Sequence, residues 1–386
     1  MPGDAVWINT PDALAALARE LRGADALALD TEADSLHHYP ERLCLVQIAD
    51  AAGRAWLVDP LALPDLEPLR PLCADPATLK VFHGGENDVG HLKRRFGFTF
   101  LHISDTMLAA RFLGLRELGL EALLTRYLDV PLVKSQQKAD WARRPLTPAQ
   151  ETYAAADVLH LIALRGRLVD ELRAMGREAW LVEECEALAA QSLAERPVDE
   201  DGYRRLRGAS RLDPRGLAIL RALFRQRESW ARAERRPPFK VLSPETLIAL
   251  ATARPRVRSA LDGILGLPPR LVERYGDGIL EAIAEGTDAD LGEGRRRPEH
   301  HRRPMVLPAV QQRAERLKQW RGAAATQAGL DPGVLLPQRL IDVLAADPPA
   351  DADGLRVVPG LRRWRSETFG AEMLAALTGQ ASQPRQ

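Results

Sequence analysis

The chain has 386 residues, 46% of them hydrophobic and 27% charged, with 53 basic and 53 acidic side chains. That length suits two or three domains, and no run approaches the roughly 20 apolar residues that cross a bilayer, so no membrane partner is expected. Cys44, Cys73 and Cys185 lie far apart without CxxC spacing, which argues against a disulfide frame or a cysteine-held zinc ion and for a reducing compartment.

Met1-Pro2-Gly3-Asp4 has neither the basic start nor the apolar core of a signal peptide, so a cytoplasmic location is expected. The zero net charge hides an asymmetry. Residues 1–190 hold 20 Lys+Arg against 28 Asp+Glu, and residues 191–386 hold 33 against 25. An acidic half joined to a basic half suits an acidic metal-binding site attached to modules that hold a polyanion.

In chain order, Val6–Asn9 reads as a short strand and Thr10 as the cap of a helix with Pro11 at its first position and Leu14, Leu17 and Leu21 on one face. Ala26–Asp30 is the next strand. Leu43–Ile48 and Arg54–Val58 form a hairpin about Ala51-Ala52-Gly53. A helix near Leu66–Leu72 precedes a strand at Thr78–His83, which Gly84-Gly85 ends in a sharp turn. Helices follow at Asn87–Phe96, from Asp105 to Leu113 and over Leu118–Tyr127. Thr147, Pro148 and Gln150 then mark a capping box opening a helix that runs on through Leu172. A hairpin leading into alternating helices predicts a mixed sheet with helices on its faces.

The second half reads as almost all helix and repeats itself. Pro238–Leu242 aligns with Pro332–Leu336 at an offset of 94, which also pairs Leu250 with Leu344, Gly266-Leu267 with Gly360-Leu361, and Tyr275-Gly276 with Phe369-Gly370. Matches at apolar and glycine positions predict two copies of one small helical fold. Between them Gly292–Pro304, with Arg295-Arg296-Arg297 and Arg302-Arg303, reads as a basic linker.

The chemistry centres on carboxylates. Asp30 and Glu32 are i and i+2 in an extended segment and share a face, which is costly unless a cation lies between them. Asp88 follows the Gly84-Gly85 turn. Asp157 lies in an Ala-rich helix, where burial demands a partner, and Tyr153 one turn earlier shares its face. Four carboxylates make a plausible site for two divalent ions, Mg²⁺ or Mn²⁺, clamping a phosphodiester, with the tyrosine hydroxyl to orient or deprotonate the attacking water. Nothing in the chain offers a nucleophilic serine or cysteine arrangement, a Walker loop or a GxGxxG turn in competition. Asp88 and Asp105 both open helices, and spacing alone leaves open which is a ligand and which a cap.

Leu29-Asp30-Thr31-Glu32, Tyr39-Pro40 and Leu45–Ile48, then His83-Gly84-Gly85 with Asp88, then Lys134-Ser135, Asp140-Trp141, Arg144-Pro145-Leu146 and Tyr153–Asp157 resemble, in order, the motifs of the DEDD exonuclease superfamily. Within it the chain is similar to the tyrosine-containing branch and to the ribonuclease D family. The two repeats resemble HRDC domains, which fits that family. The resemblance implies an α/β catalytic domain of ribonuclease H-like fold, a mixed sheet flanked by helices, followed by two small all-α domains. The expected boundaries are 1–175 for the exonuclease domain, 176–211 for a helical connector, 212–291 and 305–382 for the HRDC-like domains, and 292–304 for the linker.

The resemblance also implies a metal-dependent 3′-to-5′ exoribonuclease that releases nucleoside 5′-monophosphates and acts on RNA with a free 3′ end, such as tRNA precursors and small structured RNAs. It selects Asp30, Glu32, Asp88 and Asp157 as metal ligands and Tyr153 as the water-positioning residue, and leaves Asp105 either as a cap or as a residue supporting the ligands. Ala33 departs from the bulky residue usual after the glutamate, which bears on how the terminal base is held. Lys134, Lys138, Trp141, Arg143 and Arg144 are candidates for substrate contact. His83 is either a satisfied histidine at a strand end or a group near the scissile bond. No stable protein partner is expected. A DNA exonuclease on the same fold and a catalytically silent RNA-binding protein are the alternative readings. The first remains because no motif reads a 2′-hydroxyl; the second is disfavoured because all five positions are filled.

Overall fold

A computed structural model of the chain describes residues 5–63, 65–131, 136–191, 201–289 and 307–379. Two compact units emerge. One comprises Met1–Glu32, Leu43–Ala194 and Met305–Gln386, the other Ala33–Arg42 and Glu195–Pro304. Among the described residues no helix is long and apolar enough to cross a membrane.

The first unit is built on a six-stranded sheet of β1 (Val6–Ile8), β2 (Ala26–Ala33), β3 (Leu43–Asp50), β4 (Ala55–Val58), β5 (Leu79–Phe82) and β6 (Ile103–Asp105), in the order β1-β4-β3-β2-β5-β6. β3 and β4 pair antiparallel as the expected hairpin, while β1 runs parallel to β4, and β5 lies parallel between β2 and β6. The sheet is therefore mixed, as the strand-then-helix alternation predicts. Its helices are α1 (Pro11–Glu20), α2 (Arg70–Ala74), α3 (Glu86–Phe96), α4 (Thr106–Phe112), α5 (Leu120–Leu128), α6 (Pro148–Leu159), α7 (Leu161–Ala174) and α8 (Glu178–Ala190).

Strand parity divides the core. Leu27, Leu29, Val46, Ile48 and Val58 join Leu14 and Leu17 of α1 and Val89 and Leu92 of α3 in one apolar cluster. On the opposite parity Ala28, Ala49 and Ala55 meet Ala155 and Val158 of α6, and Leu45 and Leu57 meet Tyr153 and Ala154. The small side chains on both partners let α6 lie close against the sheet.

The single helix expected from Thr147 through Leu172 is two. α6 ends at His160 and α7 starts at Leu161. α6 packs on β3 and β4, whereas α7 packs on β5, α4 and α5, and one straight helix would not cover both surfaces.

The sequence repeat is a structural repeat. Helices begin at Pro214, Pro238, Pro244 and Pro269 in the first copy and at Pro308, Pro332, Gln338 and Arg363 in the second, each 94 residues on. The first copy has its own core, including Leu223, Leu247, Leu250 and Tyr275, in the second unit. The second copy shares its core with the catalytic body. Trp180 of α8 stacks on Trp364 at 4.5 Å between ring centroids, and the Phe112 ring meets the Trp364 edge-on at 5.4 Å. Glu183 accepts from the backbone N–H groups of Arg363 and Trp364, capping the helix that starts there, and Glu184 pairs with Arg362 and Arg365.

Candidate active site

β2 extends to Ala33, so Asp30 and Glu32 stand on an ordered strand and not in a turn beyond it. They share parity with Ala28, which faces α6. α6 is started by the Thr147–Gln150 capping box, with Pro148 at its first position, and it carries Tyr153 and Asp157 on one face toward those carboxylates. Carboxylate oxygens of Asp30, Glu32 and Asp157 lie within 4.8 Å of one another. Asp30, His83, Tyr153 and Asp157 line a cleft of about 330 Å³, with Met107, Leu120 and Gln137 on its other walls.

Asp88 reaches the site from the other side of the strand. Thr31 has the parity of Leu29 and so points toward α3, where its hydroxyl hydrogen-bonds the Asp88 carboxylate. Asp88 thus stands apart from the three-carboxylate group, although its charge still acts on Asp30 and Glu32. α3 is aimed by the Gly84-Gly85 turn. Gly84 has a positive φ of 69°, and a Cβ on Gly85 would sit 2.6 Å from that of Phe82. Asp105 holds the turn shut. Its carboxylate accepts from the N–H groups of Gly84 and Gly85 as well as those of Met107 and Leu108 in the α4 cap. Asp105 is therefore used by backbone N–H groups, while Asp88 is held by the Thr31 hydroxyl.

The electrostatics show what the cluster lacks. Burial, then the charges of Asp88, Asp157 and Glu32, push the Asp30 carboxyl far above its ordinary range. Burial with Asp157 and Asp88 raises Glu32 to about 8, and burial raises Asp157 to about 7 against the hydrogen bond from Tyr153. Asp88 rises to about 6, again by burial, with the Thr31 hydrogen bond and His91 opposing. Like charges crowded into a low-dielectric pocket are stable only with a counter-charge. An all-oxygen donor set of this kind fits a hard divalent cation such as Mg²⁺ or Mn²⁺. The Tyr153 hydroxyl is also raised, first by burial and then by the charges of Asp157 and Glu32, so it keeps its proton.

The remaining candidates divide. His83 Nδ1 bonds the Thr106 hydroxyl at 2.8 Å, its ring lines the cleft, and burial lowers its pKa. Trp141 is 1% exposed and packs 6.1 Å from the Tyr153 ring, so it supports the tyrosine and presents no face to a base. Arg144 grips Asp59 with two bonds of 2.7 Å and donates to the carbonyls of Cys44 and Trp141, so its donors are used in holding the loop to the sheet. Arg143 and Lys138 are exposed, Arg143 beside Asp140 at 3.5 Å. Lys134 lies outside the described residues, as does the basic linker at 292–304. Thr31, Met107 and Gln137 are site residues that pattern alone does not reveal. The one available hint is a β-branched hydroxyl between two carboxylates.

A mixed sheet with clustered carboxylates where β2 meets α6, followed by paired helical repeats, defines a 3′-5′ exonuclease with HRDC domains. The 3′-5′ exonuclease family model matches residues 5–173, and the HRDC domain model matches 216–283 and 310–377. The chain belongs to the ribonuclease D family and is an exoribonuclease. It is 35% identical over 377 residues to the ribonuclease D of Pseudomonas paraeruginosa, covering 96% of this chain and 97% of that one. It is also similar to the crystal structure of Escherichia coli RNase D, described as an exoribonuclease involved in structured RNA processing, with 26% identity and a TM-score of 0.70 over 98% of this chain and 100% of that one. A protein from Bifidobacterium adolescentis shares the fold at 24% identity, with a TM-score of 0.82 over 98% of both chains.

Proposed function

We propose that this exoribonuclease trims RNA from its free 3′ end, with tRNA precursors and other small structured RNAs as substrates in the cytoplasm, and releases nucleoside 5′-monophosphates. The observation that carries the reading is the convergence of Asp30, Glu32 and Asp157 within 4.8 Å, with Asp30, Asp157 and Tyr153 lining one cleft. Asp30, Glu32, Asp88 and Asp157 would hold two divalent cations. When bound, these would activate water and neutralise the leaving oxygen of the last phosphodiester. Glu32 and Asp157 would give up their protons on holding them. The Tyr153 hydroxyl, protonated and hydrogen-bonded to Asp157, orients the attacking water and does not deprotonate it. Thr31 fixes the rotamer of Asp88. The His83 ring, uncharged at neutral pH, forms a wall of the cleft.

The test is degradation of a 3′-extended tRNA with Mg²⁺ or Mn²⁺, beside the Asp30→Asn and Asp157→Asn variants. Stepwise shortening with 5′-monophosphate products is expected for the parent protein, and loss of activity for both variants. Undiminished cleavage in both would sink the assignment of the site. Matched RNA and DNA 3′ ends in competition test the preference for RNA.

A further inference from the structure

A second hollow, of about 580 Å³, opens within the same compact unit, between the catalytic body and the second helical repeat. Met107 lines both this hollow and the carboxylate cleft, so the two share a wall. Three arginines from separate segments line it: Arg111 of α4, Arg339 of the helix Gln338–Ala346, and Arg362 just before the helix Arg363–Thr378.

Its acidic groups are mostly spent. Asp105 accepts four backbone N–H groups. Burial works to raise Glu184, but Arg365 at 2.5 Å and Arg362 at 3.1 Å hold its carboxyl below the usual range. Glu86 is exposed at the start of α3. Arg111 and Arg339 are different. Both are exposed, and among the described residues neither has a carboxylate within ion-pair distance. Arg111 rests on the Met107 sulfur at 3.8 Å. The Arg339 guanidinium lies over Gly360, 3.2 Å from where a Cβ would be. Both guanidinium groups are thus propped by uncharged neighbours with their charge unspent, an arrangement suited to bidentate contact with phosphate.

We propose that this hollow is a backbone subsite for RNA. It takes the phosphodiesters upstream of the 3′-terminal nucleotide, with Arg111 and Arg339 as the phosphate contacts. The inference rests on the reading of the neighbouring cleft as the hydrolytic site. It assigns to the second repeat a direct part in holding substrate next to the cleft.

The test compares Arg111→Gln, Arg339→Gln and the double variant with the parent protein on a dinucleotide and on single-stranded oligoribonucleotides of 4, 8 and 12 nucleotides. For the longer substrates KM should rise by roughly tenfold in the double variant with kcat retained, because two charge-assisted contacts are lost. Dinucleotide cleavage should not change. The log–log salt dependence of binding to the 12-mer should become shallower by about 0.7 per arginine removed. Equal losses on dinucleotide and 12-mer, or an unchanged KM and salt slope in the double variant, would overturn the subsite. Arg111→Lys and Arg339→Lys, which keep the charge, should recover most of the salt slope, and an unchanged melting temperature separates lost contact from lost packing. If the hydrolytic reading itself were wrong, the parent protein would fail on every length, a different outcome from a length-dependent defect.

Discussion

At the residue scale the site is an energetic conflict that the fold tolerates. Three carboxylates are held together by β2 and α6; burial raises all three, and the neighbouring charges raise Asp30 and Glu32 further. Two predictions follow from that conflict. Asp30→Asn and Asp157→Asn should each lower kcat by about 10³-fold or more, since several kcal/mol of transition-state stabilisation is at stake. Above pH 8 in chelator Asp157→Asn should also melt at a higher temperature than the parent protein, because a buried charge is gone; a lower melting temperature would count against that burial cost. The pH dependence has a defined sign. Glu32 at about 8 and Asp157 at about 7 lie above the ordinary values of 4.5 and 3.8, so the folded state binds protons that the unfolded state has released. Their stabilising contribution is full below those ordinary values and is lost as pH rises through 7 to 8. Thermal unfolding in chelator should therefore shift downward between pH 5 and 8.5, less steeply in Glu32→Gln, and Mg²⁺ should reverse most of the shift. Titration calorimetry at pH 7 in buffers of different ionisation enthalpy should register proton release on Mg²⁺ binding.

At the scale of elements, three local devices aim the chemistry. The capping box fixes where α6 starts and hence the azimuth of Tyr153 and Asp157. The Gly84-Gly85 turn, clasped by Asp105, fixes α3 and Asp88. The parity of β2 sends Asp30 and Glu32 to one side and Thr31 to the other. Thr147→Ala should cost about 1 kcal/mol in urea unfolding, the usual value of an N-cap. Asp105→Ala should cost more, about 3 kcal/mol, because four backbone donors lose their acceptor. It should also lower kcat, since α3 is then free to shift by the fraction of an ångström that catalytic alignment does not forgive. An Asp105→Ala protein with parental kcat and stability would contradict the role given to the turn.

At the scale of the molecule the two repeats have the same helices but different attachments. In the second copy Trp364, Arg362 and Arg365 engage α8; at the 94-residue offset Arg270 stands in place of the ring, and Pro268 and Leu271 in place of the two arginines. The second copy is thus built into the catalytic body. Trp364→Ala should cost about 3–5 kcal/mol. Glu184→Ala should cost about 3 kcal/mol, because it leaves the buried Arg365 without its partner. Both variants should expose the helix Pro308–Ala328 to limited proteolysis before the sheet unfolds. Cleavage that starts in the sheet and spares this helix would argue against a docked second repeat.

The sequence by itself determined the local structure and the candidates for the site. Periodicity, caps and glycines placed nearly every element. The 94-residue offset showed two copies of one fold, and the carboxylate and tyrosine positions were legible because Asp30 with Glu32 and Tyr153 with Asp157 obey the short-range geometry of strand and helix. Long-range relations were not legible, because they depend on which faces meet. The break at His160 exists because α6 and α7 cover different parts of the sheet. For Trp141 and Arg144 residue type left both substrate contact and a structural place open, and folding turned one inward to Tyr153 and committed the other to Asp59. That Asp105 serves the backbone of two turns was visible only in the four bonds it accepts. The union of the second repeat with the catalytic body needed the meeting of Trp180 and Trp364, a contact between residues 184 positions apart that no local pattern records.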